Sequence, residues 1–212
     1  MVEEKIMEAI KKARDNKQRK FKQSFDLAIN LKNIDLRKPE NKVKTEIKLP
    51  NGTGKETKIG VIVDSLFPQA SKIENVVIIK KEQLEGFGRN KKEAKKLAKQ
   101  CKYFLAETPL MPLVGRFLGQ ILAPRNLMPL PIPVNANLVS MVEEKRGVLK
   151  VQLKDSPTIH IIIGTEDMED QKIAENIDAA IKNIVPKLPK GKEQVKNFVV
   201  KLTMGKPVKF KM

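Results

Sequence analysis

Residues 42–63, KVKTEIKLPNGTGKETKIGVIV, carry two kinds of β-pattern side by side. In the first half, Val43, Thr45, Ile47 and Leu49 fall on one face, while Lys42, Lys44, Glu46 and Lys48 fall on the other. That alternation predicts a half-buried antiparallel strand, ended by the turn signal Pro50-Asn51-Gly52. After Gly54-Lys55 the alternation stops. Ile59–Val63 is a continuous apolar run, and Val76–Ile79 is another. Such runs predict strands covered on both faces, the habit of a parallel sheet.

Working outward, the middle of the chain alternates strand and helix. Ser65–Ile73 has the length for a crossover helix, and Tyr103–Ala106 for a third short strand. Asn90–Cys101 predicts a helix with Ala94, Leu97, Ala98 and Cys101 inward and Lys91, Lys95 and Lys99 on one outer face. Gly86-Phe87-Gly88 reads as a helix stop. Pro124–Pro133 is too proline-dense for regular structure. These segments describe a compact α/β unit with a parallel sheet.

The two ends share another style. Ile6, Ala9, Ile10 and Ala13 recur at helical spacing within residues 2–15. Ser24–Leu31 is predicted as a short helix, with Ser24 as N-cap and Phe25, Ala28 and Leu31 facing the core. Val148–Leu153 and Ile159–Ile163 read as strands, and Asn197–Leu202 as the last strand. A helix over about Met168–Ile184 is marked by Ile173, Ile177, Ile181 and Ile184. The expected organisation is an α+β terminal domain from residues 1–57 and 154–212, with an α/β domain inserted at 58–153. A double crossing of this kind permits hinge motion.

Charge bounds the partner. Lys and Arg total 42 against 25 Asp and Glu, a net charge of +17 that attracts polyphosphates through counterion release. Aromatics are only 4 % of the chain, with Tyr103 the one Tyr and no Trp, which argues against extensive base stacking. Membrane binding is disfavoured, because no apolar run approaches the roughly 20 residues of a bilayer span and no basic cluster flanks an apolar helix. A thermophile's surface would balance Lys with Glu, which this chain does not. Cys101 stands alone, so an intrachain disulfide or Cys-rich zinc site has no material. The first residues lack a signal-peptide apolar region, and the expected location is cytoplasmic.

Catalytic material is sparse. Asn51–Thr57 is glycine-rich but lacks Walker A spacing and precedes its strand, so it reads as a turn or linker. His160, the one histidine, reads as a strand-face residue. Glu3-Glu4, Glu143-Glu144 and Asp167/Glu169/Asp170 lie in exposed or helix-starting segments. No enzyme, cofactor or metal site is expected. The Lys91/Lys95/Lys99 stripe reads either as a solvated helix face or as a polyanion contact. Arg116 and Arg125, flanking Gly119 beside the proline-rich stretch, can grip phosphate bidentately.

Thr203-Met204-Gly205, together with Lys20-Phe21-Lys22-Gln23-Ser24, Asp35-Leu36-Arg37-Lys38, Leu49–Gly54 and Gly119–Pro129, resembles the ribosomal L-one family. The motifs stand in the family's order over nearly the whole chain, and their wording is of the archaeal type. The resemblance implies a split terminal domain with an antiparallel sheet and an inserted Rossmann-like α/β domain. It also implies a protein of the large subunit's lateral stalk that binds the stalk region of large-subunit rRNA and assists release of exit-site tRNA. Repression of its own mRNA follows from the same resemblance, as does a monomeric state when free. Carried over position by position, the RNA-binding surface is Lys20, Phe21, Ser24, Asp26, Asn197, Thr203, Met204 and Gly205, with secondary contacts from Arg116 and Arg125.

Each of those residues has a physical use. Thr203 and Ser24 can bond 2′-hydroxyls or phosphate, Gly205 permits close backbone approach, and Phe21 and Met204 can pack on ribose or a base edge. From the residues alone, Phe21 reads sooner as a staple at a helix start, and Met204 sooner as a core plug, than as RNA contacts. The chain departs from the family pattern at Ala123 and Asn126, where Gly is usual, and at Gln120 and Leu130. Competing readings are a Rossmann-like nucleotide-binding enzyme and a nonspecific nucleic-acid chaperone.

Overall fold

A computed structural model describes residues 2–15, 19–38, 41, 43–55, 57–153 and 156–211. Its helices are α1 (Val2–Arg14), α2 (Phe67–Ala70), α3 (Lys81–Arg89), α4 (Lys91–Gln100), α5 (Met111–Leu122), α6 (Leu138–Arg146) and α7 (Asp170–Ile184). Its first five strands are β1 (Ser24–Leu31), β2 (Lys44–Lys48), β3 (Lys58–Val63), β4 (Val76–Lys80) and β5 (Cys101–Glu107). The remaining five are β6 (Leu130–Ile132), β7 (Val148–Gln152), β8 (Thr158–Thr165), β9 (Val195–Leu202) and β10 (Val208–Phe210). The chain divides into one unit of Met1–Lys55 with Gly147–Met212, and a second of Glu56–Arg146.

The first unit is α+β. Its main sheet runs β10-β9-β1-β8, every neighbour antiparallel. Ile6, Ile10 and Ala13 of α1 and Ile173, Ile177 and Ile184 of α7 pack on the face that carries Phe25, Leu27 and Ile29. A two-stranded ribbon of β2 and β7 adds Ile47, Leu49, Val151 and Leu153 to the same core. This pairing places β7 with the first unit. The chain therefore re-enters that unit at Gly147, earlier than the expected residue 154. Lys42, expected on the outer face of β2, lies outside the described residues.

Ser24–Leu31 corrects the sequence reading: it is the central strand β1, not a helix. Phe25, Leu27, Ile29 and Leu31 are buried at a spacing of two, and the residues between them are only half-buried. The same eight residues also satisfy a spacing of three through Phe25, Ala28 and Leu31. Pairing with β8 and β9 on either side decides for the strand.

The second unit is a parallel sheet, β4-β3-β5-β6. Every residue of β3 from Ile59 to Val63 is buried, as a strand covered on both faces requires. Helices α3, α4 and α5 enclose one core with Ile62, Ile79, Phe104 and Ala106, while α2 and α6 pack together and against β3. The expected crossover helix at 65–73 contracts to the single turn α2. Gly86 and Gly88 do not stop a helix but lie inside α3, where the ring of Phe117 packs where a Gly88 side chain would project. Cys101 opens β5 rather than closing α4.

The proline-rich stretch also holds regular structure, since β6 includes Pro131 opposite Ala106. An edge strand with one neighbour tolerates the missing N–H. Helices α5 and α6 and strand β10 were not legible in the sequence. No described helix is long and apolar enough to cross a membrane.

Candidate nucleic-acid interface

The face of the first unit's sheet opposite the helices carries the outward residues of β1: Asp26, Ala28 and Asn30. Asp26 stands between Ile162 of β8 and Lys201 of β9, Ala28 between His160 and Val199, and Asn30 between Thr158 and Asn197. His160 is exposed there, as its strand position predicts. Burial raises the Asp26 carboxyl above its ordinary range, against the opposing pull of Lys201, Lys55 and His160.

At one end of this face the chain turns a corner built by residues far apart in sequence. The Ser24 N–H donates to Thr203 Oγ1 at 3.1 Å, and the Thr203 N–H donates to the Ser24 carbonyl at 3.1 Å. The Met204 N–H donates to Gln23 Oε1 at 3.2 Å, and the Gly205 N–H closes a turn on the Leu202 carbonyl at 2.9 Å. Gln23 is held in turn by Glu166: its N–H donates to Glu166 Oε2 at 3.2 Å, and its carbonyl accepts the Glu166 N–H at 2.9 Å. Arg14, at the end of α1, donates to the Glu166 carbonyl at 2.7 Å and to Asp170 Oδ1 at 2.5 Å, and its guanidinium lies 5.2 Å over the Phe25 ring. Gln23, Glu166 and Arg14 thus support the corner. The one sequence signal for them was Gln23's place between Phe21 and Ser24.

Around this scaffold two large apolar side chains face solvent. Phe21 is 51 % exposed and Met204 60 %. Met204 is therefore no core plug, and Phe21 precedes a strand, so it staples no helix start. Lys20 and Thr203 are exposed, whereas Ser24 is buried and joins the corner through its backbone. Lys22 pairs with Asp167 at 2.6 Å, and that hydrogen bond and charge raise its ammonium above the ordinary lysine range.

Asn197 is not at the corner. It accepts a hydrogen bond from Asn30 Nδ2 at 2.6 Å, four residues along β1 from Asp26, roughly 13 Å at strand rise. The sheet face, rather than a single pocket, connects these positions.

Arg116 and Arg125 belong to the second unit. Arg116 is on α5 with its guanidinium 5.7 Å from the Phe117 ring, and Arg125 donates to the Ile121 carbonyl at 3.3 Å. Both are exposed. Asn126 adopts φ +58°, the left-handed conformation that Asn tolerates. Lys91, Lys95 and Lys99 are exposed on α4, opposite the buried Ala94, Leu97 and Ala98.

The glycine-rich loop 50–54 is fastened into the first unit. Buried Asn176 of α7 donates to the Gly52 and Ile163 carbonyls, both at 2.8 Å, and accepts the Asn51 N–H at 3.1 Å. Among the described residues no group of His, Cys, Asp and Glu is arranged to hold a metal.

Comparison with known proteins follows the same lines. The model of the ribosomal protein L1p/L10e family matches residues 10–206. A protein of Methanothermobacter thermautotrophicus named "Large ribosomal subunit protein uL1" is 47 % identical, covering 98 % of this chain and 99 % of its own. Proteins of the same name from Thermococcus kodakarensis and Methanocaldococcus jannaschii are 46 % and 43 % identical, covering 97 % and 100 % of this chain and 96 % and 97 % of their own. The chain belongs to the ribosomal protein L1p/L10e family.

Proposed function

We propose that this chain is a structural, non-enzymatic RNA-binding protein of the large ribosomal subunit, acting in the cytoplasm as part of the ribosome. It binds the stalk region of large-subunit rRNA, assists release of exit-site tRNA and represses translation of its own mRNA, and it is a monomer when free. One observation carries the RNA-binding reading. Phe21 and Met204 are both solvent-facing at a corner whose backbone is locked by Ser24, Gln23 and Thr203. Large apolar side chains held in the open by a rigid, hydrogen-bonded frame are what a specific contact with ribose and base edges requires.

Lys20 supplies a phosphate contact, Thr203 and Gly205 the close approach, and the face from Asp26 to Asn197 hydrogen-bonding groups. Arg116 and Arg125 make secondary contacts from the second unit. Close similarity to proteins named for the large ribosomal subunit supports the assignment. Competition between stalk rRNA and a random RNA duplex at moderate salt tests it. Preference for the stalk RNA is expected; comparable affinity for both would replace specific recognition with nonspecific binding.

A further inference from the structure

The first turn of the second unit, after β3, aims three main-chain N–H groups at one point. They belong to Asp64, Ser65 and Leu66. Converging amides at this position are how a parallel α/β fold grips a ligand phosphate. Here the point is filled. Glu107 Oε1 accepts the Asp64 and Leu66 N–H groups at 3.0 and 2.8 Å, and Oε2 accepts the Ser65 N–H at 3.4 Å.

Glu107 ends β5, which adjoins β3 on the side away from β4. The carboxylate therefore sits where the strand order reverses, the place such sheets reserve for ligands. It is 1 % exposed. Among the described residues no Lys or Arg forms an ion pair with it, and its two oxygens take their hydrogen bonds from the three main-chain amides, as a phosphate would. An open groove of about 770 Å³ beside the turn presents Asp64, Glu82 and Glu85 together with Lys80 and Lys81. The Lys80 ammonium in that groove lies 4.4 Å over the Phe67 ring.

We propose that Glu107 is a built-in anionic ligand: its carboxylate occupies the phosphate position of the second unit, which is thereby closed to nucleotides and free phosphate. The unit keeps a nucleotide-binding architecture, yet its ligand is covalently its own. The inference stands apart from the RNA-binding reading.

Amide hydrogen exchange and chemical shifts of Asp64, Ser65 and Leu66 test it, in the full chain and in Glu107→Ala and Glu107→Gln, with inorganic phosphate and ATP as probes. In the unsubstituted protein the three amides should be protected and insensitive to millimolar phosphate or ATP. In Glu107→Ala they should exchange at least about tenfold faster, and their shifts should move with phosphate as it enters the emptied nest. Glu107→Gln, which keeps the shape and one acceptor, should show the faster exchange at a smaller size, and it decides the matter if the alanine variant does not fold. Phosphate- or ATP-dependent shifts in the unsubstituted protein would overturn the proposal. So would unchanged protection in the variants, or freed amides that ignore phosphate.

Discussion

Ser24 and Thr203 meet in three hydrogen-bond contacts across 179 residues of chain: the Ser24 N–H reaches the threonine hydroxyl at 3.1 Å, and the serine carbonyl accepts the Thr203 N–H at 3.1 Å and the threonine hydroxyl at 3.4 Å. The threonine side chain is thus part of the frame as well as of the candidate RNA surface. Thr203→Val keeps the shape but leaves a buried N–H without an acceptor. A stability loss of about 1–3 kcal/mol is expected, with weaker RNA binding alongside it. Thr203→Ser should restore most of the stability. Urea unfolding of the two variants checks this, and equal stability of the valine variant and the parent would refute the double role.

Met204 separates recognition from folding. Its N–H is engaged by Gln23, while its side chain projects into solvent. Met204→Ala should leave stability within about 0.5 kcal/mol while weakening stalk-rRNA binding by about 1–3 kcal/mol. Affinity for a random duplex should not change. A parallel loss on both RNAs would move the recognition surface elsewhere.

Gly52 and Gly54, two residues apart in one loop, differ in what they require. Gly52 has φ +60° with nothing near the position of a Cβ, so alanine there meets only the left-handed conformation, about 1–2 kcal/mol. Gly54 has φ +65°, and its Cβ would lie 2.5 Å from Thr165 Oγ1. Gly54→Ala should lose more than about 3 kcal/mol, strain and collision together. Denaturant midpoints of the two variants order them; a reversed order would contradict the packing described for this loop.

Cys101 should be chemically silent. Burial pushes its thiol up to about 11, with Lys58 opposing weakly. Near neutral pH the thiolate is then scarce, on the order of one part in a thousand or less. A thiol reagent should label native protein slowly and denatured protein at once. Rapid labelling of the native chain would show that the start of β5 opens easily.

Asp26 makes stability depend on pH in a definite direction. Its folded-state affinity for a proton is raised by burial, so the contribution it makes is fully present in acid and is lost as pH rises through the elevated range. Asp26→Asn removes the titration. The variant should gain stability relative to the parent at neutral pH and lose that gain in acid. Unfolding midpoints at both conditions are the measurement, and a difference independent of pH would rule out the carboxylate as its source.

Much of this fold was legible because it rests on local periodicity. The apolar stripes of α1 and α7, the alternation in β2 and the continuous run of β3 each bury a face that the sequence spells out unaided; the similar run of β4 forms the expected strand but, at the sheet edge, buries only Ile79 and leaves Val76, Val77 and Ile78 half-buried. The change of pattern after Gly54 likewise announced two styles of sheet. What local pattern left open, tertiary pairing decided. Ser24–Leu31 became a strand only because β8 and β9, more than a hundred residues later, offer it hydrogen bonds on both edges. Pro131 entered a strand because it fell at a sheet edge.

The candidate site divides in the same way. Its residue types were readable from the motifs around Phe21 and Thr203. That Ser24 acts through its backbone, that Gln23, Glu166 and Arg14 hold the corner, and that Glu107 fills the nest at Asp64–Leu66 were not. The sequence by itself determined which faces are apolar, because that depends on spacing along one segment. Only the tertiary structure decided which polar groups meet, because a hydrogen bond between distant segments needs both ends brought to about 3 Å with the right direction, and no local pattern encodes that.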